Sequence, residues 1–208
     1  MNPVASLFSQ RLKFIVLAWF CAGCQAKSSS QATKAPSDPV WPVPVGWQQE
    51  TFALPPAFAP QLPYHGTEEL RFMPGFYTPA AAGFWSYDLV WWLEQPPAFD
   101  TATVSTSLTT YFRGLATSVG GAKYRFDPAR FRSVLSSAPG AENARLTGQV
   151  FTYDPFVTGG PITLNVEAEL RHCPAVRHTA IMVALSPKPP TDSVWAQLRA
   201  TAAGLVCN

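Results

Sequence analysis

Apolar and polar residues alternate without a break in ITLNVEAELR, the segment from Ile162 to Arg171. Even-numbered positions are apolar and odd-numbered positions are polar, which is the period of two expected for a β-strand with one buried face. The opposite face is polar enough to meet water. Because parallel sheets are usually covered on both faces, this segment predicts an antiparallel sheet.

Two segments richer in apolar residues predict strands near the centre of this sheet. In residues 84–94 the odd-numbered positions between Trp85 and Leu93 are large and apolar and form a core face. The other face mixes Asp88 with Trp92, so it is either half-covered or lines a groove. Residues 179–185 are almost wholly apolar, which predicts a strand covered on both faces. The remaining predicted strands are 68–73, 130–135 and 144–153.

Three segments have less regular patterns. Asp127-Pro128 could cap a short helix before residues 130–135, although a strand is favoured there because the next segment needs a hairpin partner. Gly148 predicts a β-bulge. Residues 41–63 are rich in proline, which opposes a regular strand or helix. We predict an extended stretch that wraps the domain and inserts Trp47, Phe52 and Phe58.

Two helices are predicted from apolar spacing and capping residues. Asp100 is placed to cap a helix that runs to Val119 and ends before Gly120-Gly121. Thr191 or Asp192 is placed to cap a second helix near the C-terminus. Residues 41–208 therefore predict a single α+β domain, with an antiparallel sheet of about five or six strands and two main helices packed on it.

The predicted order of elements is similar to that of the PsbP-like fold of photosynthetic and bacterial exported proteins. The similarity rests on two strands, a helix, several antiparallel strands and a final helix. It implies a fold and carries no function with it.

The N-terminal segment has the features of an export signal. Arg11 and Lys13 precede an apolar run from Phe14 to Gly23, which is too short to span a bilayer as a stable helix. The run ends in Cys21-Ala22-Gly23-Cys24, which resembles the lipobox of bacterial lipoprotein precursors. The resemblance implies cleavage before Cys24, so that residues 1–23 are the signal peptide, and attachment of lipid (palmitate among its acyl chains) to the Cys24 thiol.

Other interpretations of this segment remain open. Ordinary cleavage after Ala22 or Ala26 would give a soluble periplasmic or secreted protein, and a buried core helix is the third alternative. Residues 24–40 are mostly small and polar, which predicts a flexible linker between the anchor and the domain. The residue after Cys24 is Gln25 rather than Asp. In a diderm host the lipoprotein resemblance then implies the outer membrane.

The cysteines can be divided between anchor and domain. Of the four, Cys21 falls in the signal and Cys24 takes the lipid. Cys173 and Cys207 remain, and an oxidising exported setting predicts a disulfide between them. Two separate buried thiols are the alternative. A zinc site is not predicted in the domain, because Cys173 and Cys207 form no Cys-x-x-Cys and the nearest His residues make an incomplete set.

Composition excludes some classes of function. The 208 residues are 47% hydrophobic and 13% charged, enough apolar side chain for one sizeable core. Without residues 1–23 the chain has 13 basic and 13 acidic residues, so we predict no nucleic-acid binding. The counts of 7 Trp and 14 Phe predict an aromatic core or groove.

Motifs for catalysis and cofactors are missing from the sequence. It contains no Gly-x-Ser-x-Gly, no phosphate-binding glycine loop and no His-Glu-x-x-His. We therefore predict no cofactor and favour a non-catalytic, envelope-anchored module that binds an envelope protein or a small molecule. The alternative is an envelope hydrolase with an Asp/Glu/His site. The candidate polar residues are His65, Glu68, Glu69 and Asp88.

Overall fold

The structure, a computed structural model, describes residues 40–95, 97–138, 145–173 and 178–206. The predicted signal peptide, Cys24, the predicted linker as far as residue 39 and Cys207 lie outside these ranges. The lipid anchor and the Cys173–Cys207 disulfide therefore stay predictions. No helix within the described ranges is long and apolar enough to cross a membrane.

An antiparallel sheet and two α-helices make up the described part of the domain, which confirms the predicted α+β class. The sheet order is β1-β2-β3-β7-β6-β5-β4, with every neighbouring pair antiparallel. The strands are β1 (Gln48–Leu54), β2 (Gly66–Phe72), β3 (Tyr87–Leu93), β4 (Arg132–Ser137), β5 (Arg145–Tyr153), β6 (Pro161–Cys173) and β7 (His178–Ser186). The helices are α1 (Thr101–Gly120) and α2 (Ser193–Ala203).

The described sheet has seven strands, so the predicted five or six is too few, and β1 is the strand that was missed. Proline flanks β1 at Pro44 and Pro55 but does not occur within it. As an edge strand β1 pairs only with β2 and is exposed at all positions except Leu54, so it needs no apolar alternation. Phe52 is 43% exposed rather than inserted in the core, whereas Trp47 and Phe58 are partly buried as predicted.

The helices cover opposite faces of the sheet. The face that carries Leu89 and Trp91 packs against α1 and is called the front face. The face that carries Val90 and Trp92 is called the back face, and apolar clusters that include residues of α2 and Trp41 pack there. Because β3 is covered on both sides, all seven of its residues are buried.

Both helix starts are confirmed. Asp100 Oδ1 accepts a hydrogen bond of 2.8 Å from the backbone N–H of Thr103, and Asp192 Oδ1 accepts one of 2.9 Å from that of Val194. Each bond satisfies a backbone donor that has no partner within its helix. The Asp127-Pro128 sequence starts a single 3₁₀ turn (Pro128–Arg130) that leads into β4, so both structures considered for this segment occur in succession.

The predicted bulge at Gly148 is wrong. Gly148 pairs with Leu135 and with Val166 in an unbroken register across β4, β5 and β6. A Cβ at this position would lie 2.0 Å from the carbonyl oxygen of Val134. The glycine therefore permits a close approach of β4 to β5 and does not mark an extra residue.

The first described residues pair with the last ones. Val40 and Val206 exchange two backbone hydrogen bonds, of 3.2 and 2.9 Å. The Trp41 indole N–H donates a further bond of 2.9 Å to the carbonyl of Thr201 in α2. The N-terminal end of the domain is thus attached beside α2.

Candidate functional site

A cavity of about 590 Å³ lies on the front face, beside β1, β2, β3 and α1. Three loops complete its wall: the one between β1 and β2, the one between β2 and β3, and the one between β5 and β6. Its size is within the usual range for sites that bind small molecules. The aromatic residues that line it are Phe52, Phe58, Phe72, Phe76, Tyr77, Trp85, Tyr87, Tyr111 and Phe156.

Phe76 lies at the centre of the aromatic wall. Its ring centroid is 4.7 Å from that of Phe72, and it meets the rings of Tyr77 and Tyr87 edge-on at 4.8 and 5.4 Å. Edge-to-face pairs at these distances are attractive beyond the area that they bury. The backbone N–H of Trp85 donates to the backbone carbonyl of Phe76 at 3.2 Å and closes the loop that carries both residues. The rings thus form one packed unit that holds the shape of the cavity.

The loop after β5 is fixed by a buried carboxylate. Asp154 Oδ1 accepts from the backbone N–H groups of Phe156 and Val157, at 3.0 and 3.1 Å, and Oδ2 accepts from that of Thr158 at 2.8 Å. Burial raises the pKa of Asp154, but these bonds and others outweigh it and leave the pKa below its usual value. A charged Asp154 therefore anchors Phe156 in the cavity wall.

Glu68 of β2 is fully buried beside the cavity, on the front face. Its Oε1 accepts a bond of 3.0 Å from the Trp91 indole, while its Oε2 has no hydrogen-bond partner in the described part of the chain. Burial raises the pKa of Glu68 from 4.5 to about 7, although Trp91 and the nearby Tyr111 hydroxyl oppose the shift. Glu68 is thus a carboxyl group that can gain or lose a proton near neutral pH.

The predicted cluster of His65, Glu68 and Glu69 is not brought together in one site. His65 is exposed and immediately precedes β2. Glu69 faces the back of the sheet, where it accepts bonds from Arg71 at 2.7 Å and from the Trp92 indole at 3.1 Å. Adjacent residues of a strand point to opposite faces, so Glu68 and Glu69 cannot act on one substrate group.

Asp88 lies apart from the other candidates, on the back face of β3. It pairs in register with Arg71 and Ala184, and Ala184 packs in the cluster that contains residues of α2. Asp88 is fully buried, and neither of its oxygens has a hydrogen-bond partner among the described residues. Burial, and then the charge of Glu167, raise the pKa of Asp88 well above its usual value. His65 is six residues from Arg71, about 20 Å along β2, so it cannot pair with Asp88.

The sequence indicated an aromatic groove through its Trp and Phe counts but did not show where it lies. Its walls come from three strands, one helix and three loops, and the loop residues Phe76 and Phe156 follow no periodic pattern. Among the described residues, no group of three or more His, Cys, Asp or Glu could hold a metal ion. Comparison with models of known families, with curated proteins and with solved structures found no match, so the cavity has to be interpreted from its own geometry.

Proposed function

We propose that this protein is an exported, lipid-anchored binding module whose aromatic cavity takes up an apolar small molecule. The observation that carries the proposal is the cavity of about 590 Å³ with nine aromatic side chains on its wall. Sites for small molecules are concave and mainly apolar, with a few polar groups that set the orientation of the ligand. Glu50 and the tyrosine hydroxyl groups fit that role here.

The mouth of the cavity supports the same proposal. Large apolar side chains are exposed around it, with Phe52 at 43%, Tyr77 at 44% and Val119 at 46%. Exposed apolar side chains that lie together usually mark a place where something binds. A ligand longer than the cavity could keep contact with apolar surface as it leaves the mouth.

The arrangement of the polar candidates favours binding over the alternative of an envelope hydrolase. A catalytic acid and base must reach the same substrate group. His65 is exposed, Glu69 is paired with Arg71, and Asp88 is buried on the face away from the cavity. Of these four candidates only Glu68 lies near the cavity, and it is not among the residues that line it.

Filling the cavity should abolish uptake of an apolar probe. Leu115 of α1 is partly buried and lines the cavity, so Leu115→Trp places a larger ring in that space. We expect the affinity for N-phenyl-1-naphthylamine, an uncharged dye that brightens in apolar surroundings, to fall at least tenfold. The measurement is a fluorescence titration of purified protein that carries Cys24→Ser, so that no attached lipid competes.

Ala102→Trp is the matched control, because Ala102 is exposed on the same helix and outside the cavity. It should bind the dye as the parent protein does. Urea unfolding of both variants shows whether each is folded. A folded Leu115→Trp variant with unchanged affinity, or a parent protein that does not bind the dye, would refute the proposed function.

The anchor has its own test. If Cys24 is lipidated, Cys24→Ser should release the protein from the membrane fraction and remove its labelling by a fatty-acid probe. Cys21→Ser is the control, because the lipoprotein resemblance places that residue in the discarded signal. A wild-type protein that carries no label, with membrane fractionation unchanged by Cys24→Ser, would exclude the anchor and leave the cavity proposal intact.

A further inference from the structure

The cavity carries an acidic group and no basic one. Glu50 is the only Asp or Glu among its lining residues, and that set contains no Lys, Arg or His. Glu68, a second carboxyl group, lies behind the wall close to Tyr111 and Tyr87. The charge that the described lining residues present to a ligand is therefore negative.

The negative charge of Glu50 is not balanced by a partner within the described residues. Glu50 makes no ion pair and no side-chain hydrogen bond within the described residues. Partial burial raises the pKa of Glu50, and its charge adds to the burial that raises the pKa of Tyr77. The carboxyl group thus lies exposed at the edge of the cavity, close enough to Tyr77 to act on its pKa, and has no counter-charge among the described residues.

Aromatic rings flank this carboxyl group. Phe52 is two residues from Glu50 on β1, so both side chains are on the same face of the strand, about 7 Å apart. Phe52 and Tyr77 are both more than two-fifths exposed at the mouth. The faces of aromatic rings carry partial negative charge and attract cations, quaternary ammonium groups in particular.

We propose that the cavity selects ligands with a positively charged amine, quaternary or protonated, on an apolar body, and that Glu50 supplies the counter-charge at the mouth. The apolar body fills the aromatic interior around Phe76. The cationic group lies between Glu50 and the rings of Phe52 and Tyr77. Fatty acids and other anions are disfavoured, because the site would bring two negative charges together. This inference rests on the proposed function, since it assigns a ligand class to the same cavity.

Three probes of matched shape test the charge preference. They are phenethyltrimethylammonium, its uncharged carbon isostere (3,3-dimethylbutyl)benzene, and the anion 4-phenylbutanoate. Each is titrated against protein loaded with N-phenyl-1-naphthylamine at pH 7.5 and low salt. We expect the cation to displace the dye at least tenfold more tightly than the isostere, and the anion to be the weakest of the three.

Glu50→Gln should remove most of the advantage of the cation, about fivefold, and leave the isostere unchanged. Glu94→Gln is the control, because Glu94 is exposed and outside this cavity. Equal affinities for the cation and the isostere, or an equal loss for both in Glu50→Gln, would overturn the charge preference while dye binding still supports the cavity as a binding site. If neither the dye nor any probe binds, both proposals fail.

Discussion

Between pH 4.5 and pH 7 the wild-type protein should lose about 3 kcal/mol of unfolding free energy through Glu68. The Glu68→Gln variant should not show this loss. The buried carboxyl group keeps its proton in the folded protein up to about pH 7, whereas the unfolded chain releases it near the usual value of 4.5. Between these values the folded state binds more protons than the unfolded state, so stability falls as the pH rises. A difference of one pKa unit corresponds to about 1.4 kcal/mol.

The contribution is complete below pH 4.5 and is lost as the pH rises through 7. Glutamine carries no titrating proton and still offers an oxygen to the Trp91 indole, which now donates to Glu68 Oε1. Asp88 also makes stability fall as the pH rises, because burial raises its pKa as well. The Glu68→Gln variant therefore keeps the part of the pH dependence that belongs to Asp88, and Asp88→Asn should remove that part.

Urea unfolding at half-unit steps from pH 4.5 to 8 measures this effect. Glu94→Gln is the control for the loss of one surface charge, because Glu94 is exposed. The wild-type curve should be steeper than that of Glu68→Gln, and Glu94→Gln should follow the wild type. Parallel curves for the wild type and Glu68→Gln would show that Glu68 does not hold its proton in the folded protein.

Phe76→Ala should cost about 3–5 kcal/mol of unfolding free energy and weaken binding of N-phenyl-1-naphthylamine at least tenfold. Phe76 is 3% exposed and its ring packs against those of Phe72, Tyr77 and Tyr87. Truncation removes these contacts and leaves an empty volume that a rigid aromatic wall cannot refill. The loop between β2 and β3 would then lose its fixed position against the sheet.

Tyr77→Ala gives a matched comparison from the next residue in the chain. Tyr77 is 44% exposed, so its loss should cost about 1 kcal/mol, because less apolar area is removed from the folded state. If Phe76→Ala fails to fold, Phe76→Leu keeps most of the volume and should still lose binding affinity. Equal unfolding costs for Phe76→Ala and Tyr77→Ala would mean that Phe76 does not organise the wall.

Periodic residues made most of the fold predictable. Local sequence patterns predicted two strands and two helix starts that appear in the structure. They are the alternation in 162–171, the apolar run at 179–185 and the caps Asp100 and Asp192. Each pattern depends only on residues close together in the chain. β1 escaped prediction because a solvated edge strand between prolines needs no apolar face. Gly148 was misinterpreted because the steric demand comes from Val134 on a neighbouring strand, which no local pattern reveals.

The candidate site was much less predictable. Spacing along the chain grouped Glu68 with Glu69, although pleating sends these residues to opposite faces of the sheet. Glu68, the buried acid near the cavity, was among the predicted candidates, but its aromatic surroundings and the cavity-lining Glu50 were not. Phe76 and Phe156 come from irregular loops and meet only after the sheet has formed, so the cavity is a tertiary property.

The bridge between Val40 and Val206 also has a mechanical consequence. If the protein is tethered through Cys24, tension in the tether reaches the described part of the domain at Val40. The two backbone bonds to Val206 and the bond from Trp41 to Thr201 carry it into α2 and the back of the sheet. The Trp41 carbonyl also accepts a bond of 2.6 Å from Arg71 of β2, so the load enters the sheet on its back face, opposite the face that carries the cavity.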